Sequence, residues 1–203
     1  VLFIIAIISL IMFLFISLNL NSFSNIDLTV NKFSESIQIP SLVEIAKIVG
    51  YIFEPINIII FSLIISIFLY IKRFKKDSIF FATITLIAGF FTLIYKNLTQ
   101  RARPLNSLVI ESDSSFPSGH SMISLILFGF LIYFSLKYTK SKSKRIGIII
   151  ICLFLILLIG LSRIYLNVHW FSDVLAGFSL GAFLLFFLII VREIEGDKNF
   201  RKI

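Results

Sequence analysis

Apolar residues run through this 203-residue chain in long unbroken stretches, not in the alternation of a strand or the one-sided stripe of a soluble helix. A helix needs about 20 apolar residues to cross a bilayer, with a range of about 17–25. Six stretches reach or approach that length: Val1–Leu18, Pro55–Ile71, Ile79–Tyr95, Met122–Leu136, Ile146–Leu161 and Val174–Val191. The fourth and fifth are slightly short, so their polar flanks must share the membrane. The first has no basic segment ahead of it and no small-residue cleavage site behind it, so it reads as a retained span rather than a signal peptide. The pattern predicts an all-α integral membrane bundle of six transmembrane helices.

Asn19–Glu54, between the first two runs, is too polar at its start to span. Ser41 and Glu44, just after Pro40, have the spacing of a capping box and predict a helix start there. Leu42, Ile45, Ile48 and Val49 recur at helical spacing, which predicts an interfacial helix leading into the second span, with Pro55 marking a bend. No internal repeat or low-complexity linker interrupts the chain. Residues 1–203 read as a single membrane-embedded domain.

Composition agrees with the pattern. The chain is 58% apolar and 15% charged, against about 45–50% and about 25% for soluble domains. A soluble globule cannot hide so much apolar surface, and disorder is excluded for the same reason. Nineteen Lys and Arg against eleven Asp and Glu leave a net charge of +8. Such a balance suits nucleic acid, anionic lipid or a phosphate-bearing substrate, and nucleic acid fits badly with a chain that belongs in hydrocarbon. The lone cysteine, Cys152, lies inside an apolar run and reads as a small buried hydrophobe.

Position matters more than total charge. Lys72, Arg73, Lys75 and Lys76, then Lys137, Lys140, Lys142, Lys144 and Arg145, then Arg192, Lys198, Arg201 and Lys202 fall on one side of the six spans, with a local net charge of +9. Lys32, Lys47, Lys96, Arg101, Arg103 and Arg163 fall on the other with seven acids, a net of −1. The positive-inside rule makes the first side cytoplasmic and puts both termini there. Those thirteen cations read as topology signals and anionic-lipid contacts.

Three short segments of the near-neutral side hold both histidines and most of that side's cations: Lys96…Arg103-Pro104, Pro117-Ser118-Gly119-His120, and Ser162-Arg163…His169…Asp173. Any one of Lys96, Arg103 and Arg163 is accounted for by snorkelling to headgroups. Together with two histidines they suit a tetrahedral oxyanion, the arginines through forked donors and the lysine as a mobile charge. Arg101 lies off this pattern and reads as a weaker candidate, a plain headgroup contact. Pro117–His120 reads as a turn running into a helix, where Gly119 lets the backbone approach a ligand and free N–H groups bind anions. Ser118 is either a phosphate ligand or simply the N-cap. His169 and Asp173, four apart, fall on one helical face, where a carboxylate fixes the imidazole tautomer and leaves the other nitrogen free to attack. The alternative is a headgroup-facing His169 with Asp173 as the N-cap of the sixth span. Asp173 with Glu111 and Asp113 nearby makes a poor metal-ligand set beside three cations. Gly177, Gly181 and Ala182 form a small-residue face for close helix packing.

The three segments, in this order and on one membrane face, resemble the signature of the type 2 phosphatidic acid phosphatase family, which shares its site with the vanadium haloperoxidases. The motifs cover Lys96–Asp173, and the six-span layout extends the likeness over nearly the whole chain. The resemblance implies a lipid-phosphate phosphatase with no metal cofactor, acting at the outer face. His169 would be the nucleophile that forms a phosphohistidine, Asp173 its orienting carboxylate and His120 the general acid and then base. Lys96, Arg103, Ser118, Gly119 and Arg163 would hold the phosphoryl oxygens. It further implies a substrate among phosphatidylglycerophosphate, phosphatidic acid and polyprenyl pyrophosphates, the glycerolipids favoured over undecaprenyl pyrophosphate. A vanadate-dependent peroxidase is disfavoured because this chain is mostly transmembrane, and a non-catalytic lipid transporter because it would not need the His169–Asp173 pair.

Overall fold

The computed structural model describes residues 1–196 and contains helices and no strands among them. In chain order they are α1 (Leu2–Leu18), a short 3-10 turn (Leu20–Phe23), α2 (Ser24–Ser36), α3 (Pro40–Ile52), α4 (Pro55–Ile71), α5 (Lys75–Thr99), α6 (Gly119–Tyr138), α7 (Lys142–Tyr165) and α8 (Phe171–Gly196). Helices α5 to α8 are each long and apolar enough to cross a membrane. The first two predicted spans match α1 and α4, which are shorter than the other four. α1 and α4 have 17 residues each, and each belongs to a bent pair: α1 turns by 88° into the 3-10 turn and α2, and α3 meets α4 at 48°. The bend before Pro55 is where the sequence puts it, since proline serves a helix start and breaks a helix interior.

The capping box at Ser41 is not formed. α3 begins at Pro40, with Ile39 as the N-cap and no side-chain cap, and Glu44 instead pairs with Lys47 at 2.9 Å. Pro40 is preorganised for the first helical position, and this places Ser41 one residue inside the helix. Leu42, Ile45 and Ile48 are exposed as an interfacial face requires, while Ala46 and Gly50 turn inward towards α7. α2 was not predicted at all, because nine of its 13 residues are polar and its burial rests on Asp27 and Ser34 rather than on an apolar stripe.

α6 is the most buried of the four long spans and packs on α4, α5, α7 and α8. Phe130 of α6 stacks on Phe81 of α5 with ring centroids 3.9 Å apart. The small-residue face on α8 brings it against α6: a Cβ at Gly177 would stand 2.5 Å from the Ser118 carbonyl oxygen, and one at Gly181 2.8 Å from that of Met122. Cys152 is buried. The outer faces carry exposed Phe3, Ile4, Ile8, Phe61, Ile64, Ile67, Phe90, Phe154 and Leu157, an apolar belt that only hydrocarbon can cover.

One end of the bundle gathers the α4–α5 and α6–α7 turns and the end of α8. Two of its cations form ion pairs inside the bundle. Lys137 and Arg192 reach buried Asp77 at 3.6 and 3.2 Å, and Lys137 also reaches Glu193 at 3.0 Å. Lys198, Arg201 and Lys202 lie outside the described residues. The opposite end holds the three polar segments.

Candidate active site

Local turns deliver the three segments to one place. α5 ends on Gln100 in the left-handed conformation (φ 44°), which swings the chain out after Lys96 and leads to Arg101 and Arg103. α7 ends in a similar reversal at Asn167 (φ 53°), a residue type that tolerates this region. The Val168 and His169 amides then bond back to the Arg163 carbonyl at 3.1 and 3.4 Å, so the cation and the histidine are held across one turn. α6 starts where the sequence has a turn running into a helix, and of the two readings left open for Ser118 the N-cap is observed, its hydroxyl oxygen accepting from the Ser121 amide. The Ser118 amide donates to the Asp173 carbonyl at 3.0 Å and ties the second segment to the third.

The predicted residues converge. Arg103 Nη1 donates to the Val168 carbonyl at 2.8 Å and lies 3.4 Å from His169 Nε2. Arg103 Nη2 pairs with Glu111 at 2.5 Å and Asp113 at 2.6 Å, Lys96 pairs with Asp113, and Arg163 pairs with Glu111 at 2.7 Å. Lys96, Arg103 and Arg163 thus surround one small volume, and two carboxylates from the α5–α6 connection sit in it. Burial pushes the Asp113 carboxyl up, but hydrogen bonds from Lys96 and Arg103, together with their charges, outweigh this and hold it below its ordinary value.

His169 is buried, with its Nδ1 3.6 Å from Asp173 Oδ2. That is longer than a hydrogen bond, and catalytic contacts of this kind often tighten only around substrate. It lies in the connection ahead of α8 rather than on the helix, so the shared helical face is replaced by a turn. Burial, then the charges of Arg103, Arg163 and Lys96, push its pKa well below 6.5 and keep the imidazole neutral. Asp173 is not the N-cap. It is the third residue of α8, and its Oδ2 reaches back to accept from the Trp170 amide at 2.9 Å, the reciprocal half of a capping box. His120 Nε2 is 3.2 Å from the Gly50 carbonyl oxygen of α3, an acceptor, so this nitrogen carries the proton. Gly119 packs against Thr92 and Pro55, which its missing side chain admits.

Three participants were missed. Arg101, read as a headgroup contact, is largely buried and bonds Asp173 at 2.5 Å and Asp27 at 2.7 Å. Asp27 comes from α2 and is buried. Gly50 of α3 presents its carbonyl to His120, and a Cβ there would stand 2.1 Å from Arg163 Nη1. An acid in a polar helix was the one available signal for Asp27, and nothing in the sequence marks Gly50.

A cavity of about 870 Å³ opens beside the site. Its lining includes polar His120, Lys96, Arg163 and Glu111 and apolar Ile56, Ile59, Leu93 and Ile123. Among the described residues no three His, Cys, Asp or Glu side chains gather to hold a metal ion. The arrangement suits an anionic head joined to an apolar tail, with a neutral imidazole nitrogen facing the anion seat.

Residues 77–196 match the family model described as the PAP2 superfamily. Phosphatidylglycerophosphatase B of Bacillus subtilis (strain 168) is 43% identical over 111 residues, 54% of each chain. An undecaprenyl-diphosphatase of Sulfolobus acidocaldarius is 30% identical over 145 residues, 68% of this chain and 65% of that one. The crystal structure of a transmembrane PAP2 type phosphatidylglycerolphosphate phosphatase from Bacillus subtilis superposes with a TM-score of 0.82 at 30% identity, covering 97% of this chain and 98% of that chain. The chain spans about half the length of the first of these curated relatives.

Proposed function

The chain belongs to the PAP2 superfamily, and from that premise we propose that it is an integral membrane phosphatase acting on a lipid phosphate through a phosphohistidine at His169. The observation that carries the reading is the orientation of the His169 ring. One nitrogen faces Asp173 at 3.6 Å, and the other faces Arg103 at 3.4 Å, inside the ring of cations.

In this mechanism Lys96, Arg103 and Arg163, with the Ser118 hydroxyl and the Gly119 amide, hold the phosphoryl oxygens and displace the carboxylates of Glu111 and Asp113. His169 Nε2 attacks phosphorus in line. The P–O bond to the lipid breaks, and the leaving oxygen takes a proton from His120. A water then attacks the phosphohistidine, giving its proton to His120, and the P–N bond breaks to release phosphate. Proton transfer supplies only about 10²–10⁴ in rate. Uncatalysed phosphate-monoester hydrolysis is so slow that accelerations reach ~10²¹, so most of the effect must come from positioning and charge, which the three cations provide.

The substrate we favour is phosphatidylglycerophosphate or phosphatidic acid, supported by the similarity to phosphatidylglycerophosphatase B. Undecaprenyl pyrophosphate is the second reading, supported by the similarity to an undecaprenyl-diphosphatase. The positive-inside distribution supports a cytoplasmic position for both termini and an extracytoplasmic one for the site. The test is phosphate release from each of the three lipids by purified enzyme and by His169→Ala. Loss of release on every lipid is expected, and full activity in the variant would refute the nucleophile assignment.

A further inference from the structure

Arg101 and Asp27 stand behind the Asp173–His169 pair, away from the cation ring. Arg101 Nη1 donates to Asp173 Oδ1 at 2.5 Å and to the Ser172 hydroxyl at 2.8 Å, while its Nη2 pairs with Asp27 Oδ2 at 2.7 Å. Asp27 is itself fixed: its Oδ1 accepts from the Ser172 amide at 2.9 Å and its Oδ2 from the Ser172 hydroxyl at 2.7 Å. The Trp170 ring lies against the guanidinium, 5.8 Å from centroid to Cζ, and its Nε1 donates to the Ala102 carbonyl at 2.8 Å. Asp27 and Asp173 are 2% and 0% exposed. α2, the connection just past α5 and the start of α8 are therefore joined at one guanidinium.

The charge count gives this arrangement a purpose. A buried carboxylate needs a partner to stay ionised, and Arg101 is that partner for Asp173. A lone guanidinium would also cancel the charge that Asp173 offers to His169. The second carboxylate, Asp27, takes up one arm of Arg101, so the triad keeps a net charge of −1 beside the imidazole. We propose that Arg101 and Asp27 are positioning residues for the phosphatase reaction: Arg101 fixes the Asp173 carboxylate against His169, and Asp27 draws off enough of the arginine's charge to leave Asp173 effective. This rests on the phosphohistidine reading above.

The groups around His169 are Lys96 of α5, Arg103, Glu111 and Asp113 of the α5–α6 connection, His120 of α6, Arg163 of α7 and Asp173 of α8, with Arg101 and Asp27 one contact further out. Removing the Arg101 cation favours protonated His169 and moves the acid limb of kcat/KM to higher pH. Removing the Asp27 anion disfavours it and moves that limb to lower pH. Packing loss alone has no reason to give opposite signs.

The experiment measures phosphate release from phosphatidic acid in mixed micelles, across pH, for wild type, Arg101→Ala, Arg101→Lys, Asp27→Asn and His169→Ala, with thermal unfolding of each. Arg101→Ala should lower kcat by about 10²-fold, the scale of a misplacement of about 1 Å, with KM within threefold, and Arg101→Lys should recover part of it. The acid limbs of Arg101→Ala and Asp27→Asn should move in opposite directions. Should Arg101→Ala not fold, Arg101→Lys and Asp27→Asn carry the comparison, their limbs again diverging. A raised KM with kcat intact, or limbs that stay with wild type, overturns the proposal. Activity retained in His169→Ala overturns the underlying reading instead; an inactive His169→Ala beside wild-type Arg101 variants overturns only this one.

Discussion

Replacing Gly50 by Ala adds one methyl group and should impair the proposed phosphatase activity without unfolding the protein. The new Cβ would stand 2.1 Å from Arg163 Nη1 and 3.3 Å from its Cζ, where ordinary contact begins at 3.4 Å. The guanidinium must therefore retreat by about 1.3 Å. It has little room, because Arg163 is 2% exposed and its Nη2 is bonded to Glu111 at 2.7 Å. Losing one preorganised donor costs about 10²–10³ in kcat, or about 2.7–4 kcal/mol, and an error of about 1 Å in placement costs about 10²-fold. The backbone effect has the opposite sign, since Ala is preferred over Gly in a helix interior by about 1 kcal/mol. Phosphate release from a lipid phosphate should fall by about 10²-fold while the thermal midpoint in detergent holds or rises. Wild-type kcat and KM in a folded Gly50→Ala protein would refute the placement of α3 against Arg163.

Neutralising the carboxylate that occupies the cation ring should help binding: Asp113→Asn should lower KM by up to about fivefold, since an exposed pair is worth about 0.2–1 kcal/mol. A raised KM would mean that Asp113 stays with the bound substrate. Gly177→Val puts a side chain where a Cβ already falls 2.5 Å from the Ser118 carbonyl oxygen. Because that atom is backbone, α6 and α8 must part, and loss of the folded protein in gel filtration is expected; a folded, active variant would contradict the packing. The depressed His169 pKa has a stability consequence. A group whose pKa is lower folded than unfolded favours folding in full above the unfolded value, here 6.5, and that contribution is lost as pH falls towards the folded value. The His169→Gln variant should therefore lose less thermal stability than wild type between neutral and mildly acid pH, and parallel curves would refute the buried neutral imidazole.

The candidate residues were legible because their types and spacing form an ordered pattern that stands out in a mostly apolar chain. Lys96, Arg103, Arg163, His120 and His169 were named from three short segments, and the tertiary structure brings them together. The small-residue face was legible too, as Gly177 and Gly181 lie against α6. Local rules failed where two placed the same helix start differently. Pro40 fits the first turn and set the start of α3, so the Ser41–Glu44 capping box never formed.

Hydrophobic runs, which need only the length of a bilayer and a helix rise, were enough to determine that this chain is a membrane bundle, and the ordered polar segments pointed to the chemistry proposed at one of its ends. Neither could reveal α2, whose inward face is made by Asp27 and Ser34. Nor could they give Arg101 its partners, since Asp27 is 74 residues away in sequence and Asp173 is 72. Ion pairs and backbone contacts of that separation carry no periodic signature. Apolar burial declares itself along the chain because water acts on every residue independently, whereas a buried charge is tolerable only once a particular partner arrives, and the tertiary structure alone decides which one does.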